Sequence, residues 1–285
     1  MDDVLPYYQT RGNLQMSLTY LHEDESVLRA VLEDQRSDLP YQAQFMSTIE
    51  RFSPKKNVFA AYTAEEHPRR IPNGWEEDIL PGELALVDAV ISTFNGVSQR
   101  WEANGDKLRW YKDFNPVDIS RAIESVEWRQ LVPLVGGDLV SELILKHALP
   151  NANHRTAIAF LRTYLESIAQ QGEADFPAAG NYDGEWYRWA EEYVYRSKKL
   201  LLLRRKDNLL RYAKDHGFSK VQREPRVTLT LAKYDFNQTA VSRHAEKAHL
   251  ELWVDFVVNF LIRSGQSNLL RTMDPGKQTF VRQLR

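Results

Sequence analysis

Residues 147–157 read His-Ala-Leu-Pro-Asn-Ala-Asn-His-Arg-Thr-Ala, a joint between two strong helical patterns. A helix that starts near Asn153 leaves its first amide N–H groups without intrahelical partners. Those donors, with the positive end of the helix dipole, suit an anion. Arg155 falls in the first turn, where a cation opposes the dipole at roughly 0.3–1 kcal/mol. A bound phosphate, gripped by the planar guanidinium fork, would account for a cation there. Asn153 can cap the helix or donate its amide to the same anion. Asn151 offers a carbonyl oxygen of the kind that Mg²⁺ takes while keeping most of its waters. His147 ends the preceding helix and has the side chain of a general base near neutral pH. Taken alone, it reads as a core histidine; its company changes that reading.

These residues resemble the Fic/Doc (Fido) signature, His-x-Phe-x-Asp/Glu-Gly-Asn-Gly/Lys-Arg. The specific match covers about a dozen residues, and a looser helical resemblance extends over about 80–170. The resemblance implies a Fido-like helical core with a small β-hairpin flap, acting on a nucleoside triphosphate such as ATP with Mg²⁺. It implies transfer of AMP, or of a phosphoryl group as in the Doc branch, to a Ser, Thr or Tyr hydroxyl of a protein target. His147 then matches the base, and Asn153 and Arg155 match the phosphate binders. His154 stands where the family has Gly or Lys, beside the phosphates. The Asn-His-Arg-Thr-Ala ending is closer to the Doc form than to the Gly form.

Several positions depart from the pattern. Leu149 replaces Phe and keeps an apolar anchor. Asn151 replaces the acidic metal ligand, which weakens Mg²⁺. Ala152 replaces the first Gly, which strains the loop if that position needs φ > 0. Ile158 stands where the AMP-transferring form has a second Arg, and Arg162, one turn further, substitutes weakly for it. The nearest match to the family's inhibitory helix is Ser242 to Glu246, followed by Lys247, and its last position differs. Residues 57–75 lie at the distance expected for the flap. The altered loop also supports a rival reading, a non-catalytic Fido-fold binding module.

The elements that must position this joint are mostly helical. Helices are expected over 23–36, 82–103, 115–134, 138–148, 153–172, 184–215 and 239–263. Asn115-Pro116 supplies a cap and a first-turn proline, Gly136-Gly137 a break, Asp138 a cap, Pro150 a stop and Gly172 an end. Residues 57–75 read as a strand pair closed by Asn73-Gly74, and 226–234 alternate as a strand. The fold class is mostly α with minor β elements. The expected division is an N-terminal helical extension over 1–55, a Fido-like core over 56–215 and a β/α extension over 216–285.

The 285 residues are 43% hydrophobic and 27% charged, globular proportions that exclude a wholly disordered chain. Cysteine is absent, which excludes disulfides, thiol chemistry and a Cys-based zinc site. The first residues lack a signal-peptide pattern, and no apolar run approaches the ~20 residues that span a bilayer. A soluble, cytoplasmic protein without a membrane partner is expected.

The net charge of −2 hides an asymmetry: residues 1–150 carry 24 acids and 15 bases, and residues 151–285 carry 15 acids and 22 bases. That balance argues against a globally basic nucleic-acid binder. It leaves open a local basic face around Lys198, Lys199, Arg204, Arg205 and Lys206, diluted by Glu191, Glu192 and Asp207. His244 and His249, five apart, do not have the spacing of a helical metal pair. Trp186 and Trp189 are expected in the core.

Overall fold

Val58, Ala60 and Tyr62 alternate with Phe59 and Ala61, and both sets are apolar, so this strand must be covered on both faces. The computed structural model describes residues 3–52, 57–105, 107–169, 176, 185–236 and 240–284. In chain order the elements are β1 (Val4–Pro6), β2 (Tyr8–Arg11), β3 (Leu14–His22), α1 (Glu25–Ser37), β4 (Gln44–Phe52), β5 (Val58–Glu66), α2 (Leu84–Ala103), α3 (Pro116–Ser125), α4 (Val132–Lys146), α5 (Asn153–Ile168), α6 (Glu185–Arg205), α7 (Asp207–Asp215), β6 (Lys220–Glu224), β7 (Val227–Thr230), α8 (Ala240–Arg263) and α9 (Lys277–Gln283). Mostly α with a minor β component is therefore the fold class. No helix among the described residues is long and apolar enough to cross a membrane.

The chain divides into two compact units. The first gathers residues 1–68, 110–112 and 198–246; the second gathers 69–109, 113–197 and 247–285. Both α6 and α8 change units along their length, so the units cut across the consecutive segments 1–55, 56–215 and 216–285.

The first unit is built on an antiparallel four-stranded sheet of order β2-β3-β5-β4 and a three-stranded sheet of order β1-β6-β7. One face of β5 packs with α1: Ala61 meets Leu28 and Leu32, joined by Phe45, Ile49 and Phe59. On the other face Val58, Ala60 and Tyr62 share a core with Leu202, Leu203, Leu210, Val221 and Leu229. Asp24 caps α1 by accepting the Ser26 N–H at 2.8 Å.

The second unit is helical. Its centre is α4, in which eleven residues are buried, with α3 and α5 packed against it. Gly136 and Gly137 are part of this helix. A Cβ at 137 would lie 2.5 Å from Val254 Cγ2 and 2.6 Å from the Val254 backbone, so the missing side chains let α8 approach closely.

Several sequence expectations are corrected here. The described residues of 1–55 are largely strands around one helix. The strand pair expected within 57–75 lies instead between β4 and β5, which pair from Gln44–Glu66 to Phe52–Val58. Pro68 and Pro72 lack the N–H that would extend the ladder, and Gly74, at φ 72°, leads into a 3-10 turn at Trp75–Asp78. The helix from Pro116 ends at Ser125, and Pro133 opens the next helix rather than checking the last one.

Gly136-Gly137 does not break α4, because tight packing outweighs glycine's helix cost of about 1 kcal/mol. Asp138 lies inside α4, where its carboxylate accepts the Glu127 N–H at 2.8 Å. Burial raises its pKa. The pattern over 184–215 is two helices interrupted at Lys206, and the strand expected over 226–234 ends at Thr230 in a 3-10 turn. The helix end expected at Gly172 and the side chain of Trp186 lie outside the described residues. Trp189 is half-buried, stacked on Phe256 with centroids 5.0 Å apart.

Candidate functional site: the joint between two central helices

The α4–α5 joint lies within the second unit, and both its ends carry unusual backbone. His147 closes α4 at φ 52°, ψ 40°, its N–H bonded to Ile144 O at 3.1 Å. Ala152 opens α5 at φ 53°, ψ 25°. Both are left-handed, a conformation that costs a non-glycine residue roughly 1–2 kcal/mol. Between them Ala148, Leu149 and Pro150 are buried, so the loop is pinned from within. Ala152, in the N-cap position, supplies no side-chain acceptor to the first-turn amides of α5.

The expected site residues take distinct places. Asn153 is 6% exposed and folds back on the loop: its Oδ1 accepts Leu149 N–H at 3.1 Å and its Nδ2 donates to Leu149 O at 3.0 Å. It braces the loop. Asn151 does similar work, its Nδ2 donating to Arg109 O at 2.7 Å and its Oδ1 accepting Ala152 N–H at 2.7 Å. Arg155 lies with Cζ 3.7 Å from the centroid of Trp101. Such stacking restrains a guanidinium while keeping the N–H edge that binds oxyanions outside the stack. His147 is half-buried at the end of α4.

Two residues are not brought to the expected phosphate position. Arg162 lies about 13 Å along the axis from Asn153, from the helical rise. Its Nε donates to Glu166 Oε1, one turn further from the joint. His154 is not the surface residue that a helix start implies. Its Nε2 lies 2.9 Å from Ser197 Oγ, at the edge of a buried polar chain.

That chain was not legible as a site. Ser197 Oγ lies 2.7 Å from His249 Nε2, and His249 Nδ1 lies 2.8 Å from Ser141 Oγ. Trp253 Nε1 donates to His249 Nε2 at 3.1 Å. An indole N–H can only donate, so Nε2 is an acceptor and the ring proton sits on Nδ1, directed to Ser141. Ser197 then donates to His249 and accepts from His154. Ser141, Ser197, His249 and Trp253 are all at most 1% exposed. The only sequence signal was a histidine four residues before a tryptophan on an otherwise apolar helix face. Thr156, fully buried in α5, has a hydroxyl with no hydrogen-bond partner among the described residues.

The whole chain, residues 1–285, matches one family model, described as a family of unknown function (DUF8172). The chain belongs to that family. No curated protein matches it, and no solved structure matches it.

In this DUF8172 chain the donors at the joint do not fit Mg²⁺ well. Asn151 Oδ1 is neutral and already accepts a hydrogen bond, and Mg²⁺ favours carboxylate. Among the described residues no group of three His, Asp or Glu side chains is arranged to hold a metal ion. Glu246, from the candidate inhibitory motif, pairs with Arg204 at 2.6 Å.

Proposed function

We propose that the α4–α5 joint binds the phosphates of a nucleoside triphosphate and transfers AMP or a phosphoryl group to a protein hydroxyl, as the Fido resemblance implies. The observation that supports this most is the left-handed Ala152 directly before α5. It holds the backbone that glycine would adopt with ease, in a position where the signature has glycine. A strained loop that presents uncapped helix amides is a common feature of ligand sites.

The roles differ from a residue-by-residue transfer of the signature. Arg155 and the first-turn amides hold the phosphates. Asn151 and Asn153 shape the loop that presents them. His147 takes the proton of the target hydroxyl as its oxygen attacks phosphorus, and pyrophosphate or ADP leaves.

The rival reading, a binding module without transfer, draws on the same two asparagines, whose amides are both committed to backbone groups. Incubation with cell lysate and ATP labelled at the α or the γ phosphorus separates the readings. Label on protein, lost in His147→Ala, supports transfer, and the labelled position names the group. No label from either, together with nucleotide binding by calorimetry that Arg155→Ala abolishes, supports the binding module. Neither label nor binding overturns both.

A further inference from the structure

Residues 44–52 read Gln-Phe-Met-Ser-Thr-Ile-Glu-Arg-Phe and form β4, an edge of the four-stranded sheet in the first unit. A strand at an edge turns the N–H and C=O of every second residue away from its one neighbour. Among the described residues, no backbone group of β4 makes a hydrogen bond beyond the ladder shared with β5. No residue of β4 is buried, and Met46 is 44% exposed.

Proteins guard such edges with short strands, bulges, prolines, lysines or a covering segment. The opposite edge, β2, is only four residues long. β4 is nine residues long, holds no proline, glycine or lysine, and pairs with β5 over its whole length without a register shift. Its two charges, Glu50 and Arg51, sit side by side near one end, so Gln44–Ile49 is uncharged. Glu50 is oriented by Gln9, whose Nε2 donates to it at 2.8 Å, with Arg11 3.9 Å away.

We propose that β4 is a self-association surface: it pairs antiparallel with β4 of a second copy of this chain, about a two-fold axis at Thr48, and joins the two four-stranded sheets into one. The strand's own pattern selects that partner and that register. Centring on Thr48 is the one register that pairs all nine residues. It sets Thr48 against Thr48, a favourable cross-strand pair. It sets Glu50 against Met46 and Arg51 against Phe45, so neither charge meets its own copy. Arg51 already lies over an aromatic ring, that of Phe59, with Cζ 5.5 Å from the centroid. Centring on Glu50 instead would oppose two carboxylates. Met46, Thr48 and Glu50 share one face, because side chains alternate along a strand.

Sedimentation equilibrium of the full chain should show a monomer–dimer equilibrium. The register is read from two variants at one exposed position. Met46→Glu places a carboxylate opposite the partner's Glu50, and Met46→Lys places an ammonium there. Within one chain the two positions are about 13 Å apart along the strand, so the effect is mainly intermolecular. Each dimer contains the pair twice, and the dissociation constant of Met46→Glu should exceed that of Met46→Lys about tenfold. The chain has no cysteine, so an introduced one gives an unambiguous cross-link. A short bismaleimide should join two copies of Thr48→Cys, on the axis, and not two copies of Val27→Cys, exposed on α1. A wild-type chain that sediments as monomer throughout overturns the proposal. So does a dimer with equal dissociation constants in the two Met46 variants, or equal cross-linking at 48 and 27. Wild-type sedimentation keeps the test if a variant fails to fold.

Discussion

Asn153 satisfies both backbone groups of Leu149, four residues before it, with one carboxamide. The pair closes the joint from inside, in a place where both partners are buried. Asn153→Ala leaves a buried N–H and a buried C=O without partners. Each orphaned group costs about 1–3 kcal/mol, so a loss of at least 2 kcal/mol is expected in urea unfolding. Asn153→Asp keeps the acceptor but turns a carboxylate oxygen toward Leu149 O, and should also destabilise. A fully stable Asn153→Ala protein would mean that the amide serves a ligand rather than the loop.

Ala152 is left-handed at φ 53°. Glycine adopts this conformation without the roughly 1–2 kcal/mol that alanine incurs, but it gives back about 0.5–1 kcal/mol through the greater freedom of the unfolded chain. Ala152→Gly should therefore stabilise the protein by up to about 1 kcal/mol, read as a higher denaturant midpoint at constant slope. A lower midpoint would show that the loop is not strained at this residue.

The sequence made the joint visible because helix caps and breaks are local. Pro150 and the start at Asn153 needed no knowledge of the rest of the chain. What the side chains do there was not local. Asn153 was equally suited to cap, to bind an anion or to brace a loop, and only the position of Leu149 decides among these. His154 and His249 could not be paired from a one-dimensional pattern, since Ser197, which joins them, lies 43 residues from one and 52 from the other. The N-terminal strands were missed for a related reason. Tyr8–Arg11 and Gln44–Phe52 have few buried positions, so they lack the clean apolar alternation that marks a half-buried strand. Their place is set by pairing with β3 and β5.

Gly137 is another position where tertiary contact overrides a local rule. On helix propensity alone, Gly→Ala gains about 1 kcal/mol. At 137 the added carbon would meet the Val254 backbone at 2.6 Å, and backbone cannot move aside as a side-chain tip can. Overpacking of this kind costs about 1–3 kcal/mol or more, so Gly137→Ala should destabilise by about 2 kcal/mol or more. At Gly136 the nearest atom is the tip of Leu161, at 3.0 Å, which can rotate. Gly136→Ala should fall within about 1 kcal/mol of wild type. If the two variants unfold at the same denaturant concentration, the close approach of α8 at residue 137 is wrong.

His216, stacked on Tyr212 with centroids 4.0 Å apart, makes one contact from each ring nitrogen: Nδ1 lies 2.8 Å from Tyr212 O and Nε2 lies 2.8 Å from Glu23 Oε1. Desolvation lowers its pKa, but the hydrogen bonds to Glu23 and to Tyr212 O, with the charges of Glu23 and Asp215, outweigh it and leave the pKa raised. A raised histidine pKa means that the folded state binds the proton more tightly than the unfolded state does. The contribution is therefore complete below the unfolded value of about 6.5, and it is lost as pH rises through the folded value. Glu23→Gln removes the charge but keeps an acceptor, so the His216 pKa should move back down. The difference in stability between wild type and variant should then be larger at pH 5.5 than at pH 8.5. Titration of the His216 ring by NMR reads the first effect, and urea unfolding at the two pH values reads the second. An unchanged His216 titration in Glu23→Gln would show that the carboxylate does not hold the proton.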